Sequence, residues 1–224
     1  YGKAMLPELL HELCKVDGIR WIRLMYVYDD GITDELIETM KQEDKICNYI
    51  DIPIQHVADP VLKGMRRKST GESIRKTIAK LRKEIPDIHI RTTILVGFPG
   101  ETEEEFAESK AFVDKVDFYE THIFKYSRRE GTKAAAMKDQ VPDQIKAVRS
   151  AELIELSHRK QAAYEERLIG TTQEVLIEEK IIRNGEELQI GHTKEYVKIG
   201  VKNPNNLINQ LVNVEIENQL QILH

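Results

Sequence analysis

The chain has 224 residues, of which 41% are hydrophobic and 32% charged, and its formal net charge is −5. This composition is typical of a globular protein with one large domain, or with a medium and a small one. The negative charge argues against coating by nucleic acid, although it permits a local basic patch. Without a run near the ~20 apolar residues that cross a bilayer, and without a signal peptide, we expect a cytoplasmic protein.

Helices and strands are predicted to alternate along the first part of the chain. Apolar residues at helical spacing indicate helices, whereas runs rich in branched and aromatic residues indicate strands. The predicted elements are a helix over 5–16, a strand over 19–28, a helix from the cap Thr33 to Met40, a strand over 48–54, a helix with Asp59 as its cap and Pro60 as its first residue, a break at 69–71 in the basic stretch 63–83, and a strand over 88–96.

The stretch around which these elements are arranged reads IRTTILVGFPGET over residues 90–102. It indicates a buried parallel strand that stops at Gly97, a break at Pro99 and Gly100, and a helix with an acidic first turn. Ligands of α/β folds collect at the carboxyl ends of strands, so a site is expected here. The alternative is that the two glycines only permit a sharp turn.

The second part of the chain changes character after residue 169. Before it we predict a helix over 103–116, a strand over 118–126 and a long helix from Pro142 to about Leu168. The apolar side of that helix is expected to carry Ile145, Val148, Leu153, Ile154 and Leu156. Short strands over 172–178, 196–201 and 211–216, with a hairpin turn at Asn184 and Gly185, then indicate a small all-β domain. The predicted domains are therefore 1–169 and 170–224.

Polar residues at the four strand ends leave the reaction class open. No catalytic triad, P-loop or metal-binding histidine pair is evident, and Cys14 and Cys47 are too far apart for a metal site. A lone histidine such as His56 is more often structural than catalytic. The run Arg66-Arg67-Lys68 could hold an acidic group or be merely a solvated face.

Five short strings carry a much more specific signal when they are taken together. They are IPIQH at 52–56, LKGMRR at 62–67, VGFPGETEE at 96–104, FKYS at 124–127 and EGTKAA at 130–135. In order and spacing they resemble the radical-SAM methylthiotransferase family, and the tail from Gly170 resembles the TRAM domain of that family. The resemblance implies an α/β fold, a partial (β/α) radical-SAM (TIM-like) barrel followed by a small all-β TRAM domain.

The resemblance also implies cofactors. In the family, a 4Fe–4S cluster on a CxxxCxxC loop cleaves S-adenosylmethionine to a 5′-deoxyadenosyl radical, and a second 4Fe–4S cluster on an N-terminal domain supplies sulfur. Neither the loop nor that domain is found in this sequence. We therefore expect the C-terminal part of such an enzyme, inactive alone, without metal ligands of its own. The intact enzyme is expected to be a monomer that receives electrons from a donor.

The family's cofactor positions can be carried over residue by residue, although no catalytic residue can be assigned. Gly97, Phe98, Pro99 and Gly100 match the turn beside the adenine. Arg91 is the candidate for the cofactor's carboxylate, because a guanidinium can bind it with two hydrogen bonds. The remaining matches are Gln55 and His56, near cofactor and substrate, and Tyr126 and Ser127, close to the adenosine.

Two substrates are compatible with the resemblance. Residues 26–35 and 53–56 resemble members that modify an aspartate of ribosomal protein S-twelve, whereas 122–127 and 191–196 resemble members that modify tRNA. From Gly170 onward eight acidic residues face five basic ones, which favours a basic ribosomal protein over RNA. The acidic residues could also form only a solvated face. A function of another class is a non-catalytic module that binds ribosomal protein or RNA.

Overall fold

The computed structural model describes residues 2, 4–183 and 185–223. It contains a parallel sheet with helices, followed by an antiparallel sheet. The helices are α1 (Leu6–Cys14), α2 (Asp34–Gln42), α3 (Asp59–Gly64), α4 (Gly71–Glu84), α5 (Glu103–Val116), α6 (Lys133–Ala136) and α7 (Asp143–Glu166). The strands are β1 (Ile22–Leu24), β2 (Ile46–Gln55), β3 (His89–Val96), β4 (Glu120–Lys125), β5 (Thr172–Arg183), β6 (Glu186–Thr193), β7 (Lys198–Val201) and β8 (Leu211–Glu215).

The first sheet has the order β1-β2-β3-β4, and every neighbouring pair is parallel. Alternate residues of its strands, such as Ile50, Ile52 and Ile90, are buried in one core with the apolar faces of the helices. The prediction of a parallel sheet covered by helices is confirmed. Because the strands are parallel, their carboxyl ends meet at one edge.

Helix starts largely follow the sequence signals. Thr33 caps α2 by accepting a hydrogen bond from the Leu36 amide, and Thr102 forms a capping box with Glu105. The predicted break at 69–71 is confirmed. The prediction of Asp59 as a cap is wrong: Asp59 is the first residue of α3, and its carboxylate accepts from the Gly71 amide at 2.7 Å. That bond joins α3 to α4.

The long helix α7 corrects the predicted apolar side. Leu153 and Leu156 are buried as expected, but Ile145, Val148 and Ile154 are exposed. The buried face of α7 is largely polar. Polar side chains can be buried there because several of them make hydrogen bonds to neighbouring elements. Ser157, for example, bonds both the amide and the carbonyl of Thr121 on β4. The apolar pattern alone could not reveal this polar packing.

The second sheet is antiparallel and has the order β7-β6-β5-β8. Val175, Ile177, Ile199 and Ile216 belong to its separate core, and the predicted all-β tail is confirmed. Strand β6 was not predicted, and Asn184 of the predicted turn lies outside the described residues. The predicted boundary between 169 and 170 falls between the end of α7 and the start of β5. None of the helices in the described part of the chain is long and apolar enough to cross a membrane.

Candidate functional site

A cleft of about 840 Å³ lies at the carboxyl edge of the parallel sheet. The ends of β2 and β3, the segments that follow β1, β3 and β4, and the connection between α3 and α4 contribute to it. Its lining residues are Tyr26, Tyr28, Asp30, Pro53, Gln55, Met65, Arg66, Arg67, Lys68, Ser69, Leu95, Phe98 and Tyr126. This is the edge of an α/β sheet at which ligands bind, and the volume is within the usual range for a small-molecule site.

Three residues that line the cleft have left-handed backbone conformations although none is glycine. The φ angles are +58° at Tyr26, +69° at Gln55 and +60° at Arg66. Such conformations cost free energy and persist where the surrounding structure imposes them, often at binding sites. Tyr26 also explains why β1 is shorter than the predicted strand, since its conformation interrupts the extended chain. Backbone geometry thus marks the same cleft as the strand ends do.

Phe98 and Tyr126 form the aromatic wall of the cleft. Their ring centroids are 5.6 Å apart in an edge-to-face arrangement, and the Lys146 ammonium lies 5.4 Å from the Tyr126 centroid. The Tyr126 hydroxyl is buried and has no hydrogen-bond partner among the described residues. A buried hydroxyl without a partner is costly. It therefore marks a place where a ligand could accept or donate a hydrogen bond.

The turn before α5 is held by backbone and side-chain contacts. The Gly97 amide donates to Oε2 of Glu101 at 2.8 Å, and the Gly100 amide donates to the carbonyl of Asp139 at 2.7 Å. Gly97 has φ +73°, and a Cβ there would lie 2.3 Å from Cγ of Lys146. Gly97 therefore meets a steric demand beyond a sharp turn, whereas a Cβ at Gly100 would meet open space. Of the turn residues, Phe98 lines the cleft.

A buried polar network lies behind this turn. The Glu101 carboxylate accepts from Nη1 of Arg149 at 2.7 Å, and its Oε2 is 3.6 Å from Nε2 of His56. Nδ1 of His56 accepts from the Ala58 amide at 3.0 Å, and Nε2 is 3.3 Å from Oγ of Ser109. His56 is almost fully buried. It supports the turn from behind, and its expected place in the cleft is corrected.

The expected location of Arg91 is also corrected. Arg91 lies five residues before the carboxyl end of β3, or about 16 Å along the strand. Its Nη2 donates to Asp51 at 3.2 Å, and its Nη1 lies 3.6 Å from Glu120. Burial lowers the pKa of Arg91, but the hydrogen bond to Asp51 and nearby negative charges outweigh burial, so its pKa is raised. This arginine neutralises acids at the far end of the sheet.

A different arginine occupies the cleft. The Arg67 guanidinium donates to the Pro53 carbonyl and lies 5.0 Å from the ring centroid of Tyr28. Arg66 and Lys68 beside it are exposed. The sequence identified this basic run but could not distinguish a binding group from a solvated face. The structure places it at the cleft, where an acidic group of a ligand could be bound.

Ser127 does not contribute to the cleft, and the described residues provide no metal site. Ser127 is exposed on the loop after β4 and does not line the cleft. Among the described residues, no group of three His, Cys, Asp or Glu side chains could hold a metal ion. Cys14 and Cys47 are buried and unpaired, on α1 and near the start of β2. The residues described therefore do not fit an iron–sulfur cluster.

The sequence of the chain is similar to that of radical SAM proteins. Residues 3–113 match the model of the Radical SAM superfamily. The ribosomal protein uS12 methylthiotransferase RimO of Lachnoclostridium phytofermentans is 48% identical over 193 residues, which are 86% of this chain and 43% of that protein. The protein of the same name from Geobacter sulfurreducens is 49% identical over 177 residues, 79% of this chain and 40% of that protein. The chain thus spans less than half the length of these curated relatives.

Among solved structures, coproporphyrinogen III oxidase (HemN) from Escherichia coli, a radical SAM enzyme, has a similar fold. The TM-score is 0.54 at 16% sequence identity, and the match covers 85% of this chain and 50% of that one. At this identity the likeness concerns the fold alone. It is consistent with the predicted partial barrel.

Proposed function

The chain belongs to the radical-SAM methylthiotransferase family, and on that premise we propose that it is part of an enzyme that adds a methylthio group to an aspartate of ribosomal protein uS12. The sequence likeness to relatives of that name carries the proposal. One alignment spans 193 of the 224 residues, so wherever it begins it includes residues 122–127. One of the two segments that resemble tRNA-modifying members therefore also aligns with a uS12 methylthiotransferase.

The cleft at the carboxyl ends of β1 to β4 is the proposed site for S-adenosylmethionine. Its volume, the aromatic wall of Phe98 and Tyr126 and the unpartnered Tyr126 hydroxyl support this assignment. When bound, the cofactor supplies the radical of the reaction. In our proposal Phe98 packs against the adenine, Gln55 and Tyr126 bind polar groups of the cofactor, and Arg67, instead of Arg91, faces its carboxylate.

The turn residues Gly97, Pro99 and Gly100 have a supporting role in this proposal, since they place Phe98 at the cleft. His56 supports them from behind, and Ser127 and Arg91 make no cofactor contact. The chain's own residues thus bind and orient the cofactor. The described residues offer no ligand set for an iron–sulfur cluster, so we assign no step to a cluster here and propose that the two 4Fe–4S clusters of the family are held outside them.

The second candidate substrate is tRNA, and the surface charges of the chain weigh on it. The basic stretch 63–83 would have to bind the RNA backbone, but within it Arg75, Lys76 and Lys80 pair with Glu108, Glu72 and Asp34. Such pairing leaves less positive charge for phosphate contacts. In the β domain, Glu186 and Glu187 pair with Lys202 and Lys180, so basic side chains are interspersed with its acidic ones. Surface charge therefore discriminates between the two candidate substrates less clearly than the sequence similarity to uS12 methylthiotransferases does.

We place the enzyme in the cytoplasm, as a monomer that depends on an electron donor, with residues 1–169 in its barrel domain and 170–224 in its TRAM domain. The alternative of another class, a non-catalytic binding module, would need no cofactor cleft. This difference separates the two functions experimentally.

Titration of the chain with S-adenosylmethionine, followed by ¹H–¹⁵N NMR, tests the proposed site. We expect weak binding, because residues beyond the described ones are proposed to contribute to the complete cofactor site. The amide signals of Gln55, Phe98 and Tyr126 should shift together, whereas those of the β domain should not. Absence of any shift at millimolar cofactor, or shifts elsewhere only, would favour the non-catalytic module.

A further inference from the structure

We infer that Glu101 is a positioning residue that holds the turn from Gly97 to Gly100 in one conformation, so that Phe98 stays in the cleft. The effect on cofactor binding rests on the proposed function, whereas the effect on the turn does not. Glu101 itself does not line the cleft. It acts through the backbone of the turn.

Glu101 bonds the backbone of its own turn. The Glu101 side chain is fully buried, and its Oε2 accepts from the Gly97 amide at 2.8 Å. The Glu101 amide in turn donates to the Phe98 carbonyl at 2.9 Å. One residue therefore bonds the beginning and the middle of the turn. Hydrogen bonds to a charged acceptor are stronger than those between neutral groups.

Glu101 is itself held by residues of other elements. Arg149 of α7 donates to the carboxylate at 2.7 Å and also contacts the backbone carbonyl of Glu101 at 3.2 Å. His56, which follows β2, lies 3.6 Å from the same carboxylate and contacts Ser109 of α5. Arg149 of α7 thus fixes the carboxylate directly, and His56, which α5 contacts through Ser109, lies beside it.

The ion pair between Glu101 and Arg149 has a role other than stability. A buried ion pair is a poor source of stability, because desolvation of both charges opposes their attraction, and apolar residues of similar volume often do as well. Here the pair has a geometric consequence that apolar residues could not provide, since only an acceptor at this position can bond the Gly97 amide. Because Phe98 follows Gly97 directly and contacts Tyr126, an unbonded Gly97 would leave the cleft wall free to move.

A double substitution separates positioning from stability. Glu101→Met with Arg149→Met removes both charges together, keeps a similar volume and leaves no single buried charge. The matched control is Lys110→Met with Glu152→Met, which removes a 2.6 Å ion pair between α5 and α7 at the surface. Both variants and the unmodified chain are compared by thermal unfolding, by hydrogen exchange of the Gly97 and Gly100 amides, and by titration with S-adenosylmethionine.

We expect both double variants to fold. In the double variant Glu101→Met with Arg149→Met, but not in the control, the Gly97 amide should lose its protection from hydrogen exchange. Affinity of the same variant for S-adenosylmethionine should fall roughly tenfold or more. If Gly97 stays as protected as in the control, the inference is wrong, whether or not the cofactor binds. If the double methionine variant does not fold, Glu101→Gln with Arg149→Met is measured in the same way. Gln keeps one acceptor and should preserve the protection of the Gly97 amide, and loss of that protection in a folded chain contradicts the inference.

If the unmodified chain binds no cofactor while hydrogen exchange changes as expected, the proposed cofactor site is wrong and the positioning role of Glu101 stands.

Discussion

The guanidinium of Arg91 lies 5.6 Å from the ring centroid of Tyr196, so the parallel sheet and the β domain meet at these two residues. Arg23 of β1 approaches the same ring, with its guanidinium 4.6 Å from the centroid, and donates to the Thr193 carbonyl at 2.8 Å. Tyr196 thus sits between two cations, at the opposite end of β3 from the cleft. The contacts connect the two sheets directly.

Replacing Tyr196 by alanine should weaken this junction. Two cation–π contacts and the packing of a large ring would be lost, so the free energy of unfolding should fall by roughly 2–4 kcal/mol. Urea unfolding measures the change. The control is Leu220→Ala in the same domain, where the side chain is 84% exposed and the change should stay within about 0.5 kcal/mol. Equal effects of the two substitutions would mean that Tyr196 does not stabilise the junction.

Gly97→Ala should destabilise the chain more than Gly18→Ala does. Both glycines have positive φ, +73° and +88°, so both substitutions add backbone strain of about 1–2 kcal/mol. Only at Gly97 would the new Cβ meet another atom, Cγ of Lys146 at 2.3 Å, whereas nothing lies within 4 Å at Gly18. Thermal unfolding of the two variants gives the comparison. Similar melting temperatures would show that Lys146 moves aside without cost.

Tyr126→Phe should affect ligand binding without lowering stability. The Tyr126 hydroxyl is buried without a partner in the described structure, so its removal leaves no broken hydrogen bond in the free chain. If the hydroxyl bonds the cofactor, its loss should weaken binding by about 0.5–1.5 kcal/mol. NMR titration of the variant and of the unmodified chain measures cofactor affinity, and thermal unfolding of the same two proteins measures stability. Reduced stability with unchanged cofactor affinity would contradict the assignment.

The buried thiol of Cys47 predicts a dependence of stability on pH. Burial raises the pKa of Cys47, so the folded chain keeps this proton at pH values where the unfolded thiol, with a pKa of about 8.5, has lost it. The contribution to stability is therefore complete below about pH 8.5 and declines as the pH rises further. Urea unfolding from pH 7 to 10 should show a shallower decline for Cys47→Ala than for the unmodified chain. Parallel curves would rule out this contribution.

Local sequence signals predicted most elements of the fold, because strands, caps and breaks depend on neighbouring residues. Thr102 and the acidic turn after it define the start of α5, and Gly97 marks the end of β3. The site was predicted less well. Left-handed conformations at Tyr26 and Arg66 have no local signature, because neither residue is glycine. They arise from the packing of the segments that meet at the cleft.

Arg91 and His56 show a second limit of the sequence. Both residue types suit a binding site, but the role of each depends on its partners across the sheet. Arg91 meets Asp51 and Glu120 on the neighbouring strands, and His56 points toward Glu101, which is 45 residues later in the chain. Contacts between distant segments depend on register and packing, which a single sequence does not reveal.

Mass spectrometry of ribosomal protein uS12 tests the proposed function most directly. The proposed full-length enzyme is incubated under anaerobic, reducing conditions with S-adenosylmethionine and either uS12 or tRNA, and both substrates are then examined for an added methylthio group. We expect the group on an aspartate of uS12 and none on tRNA. A methylthio group on a tRNA adenosine, with uS12 unmodified, would contradict the account.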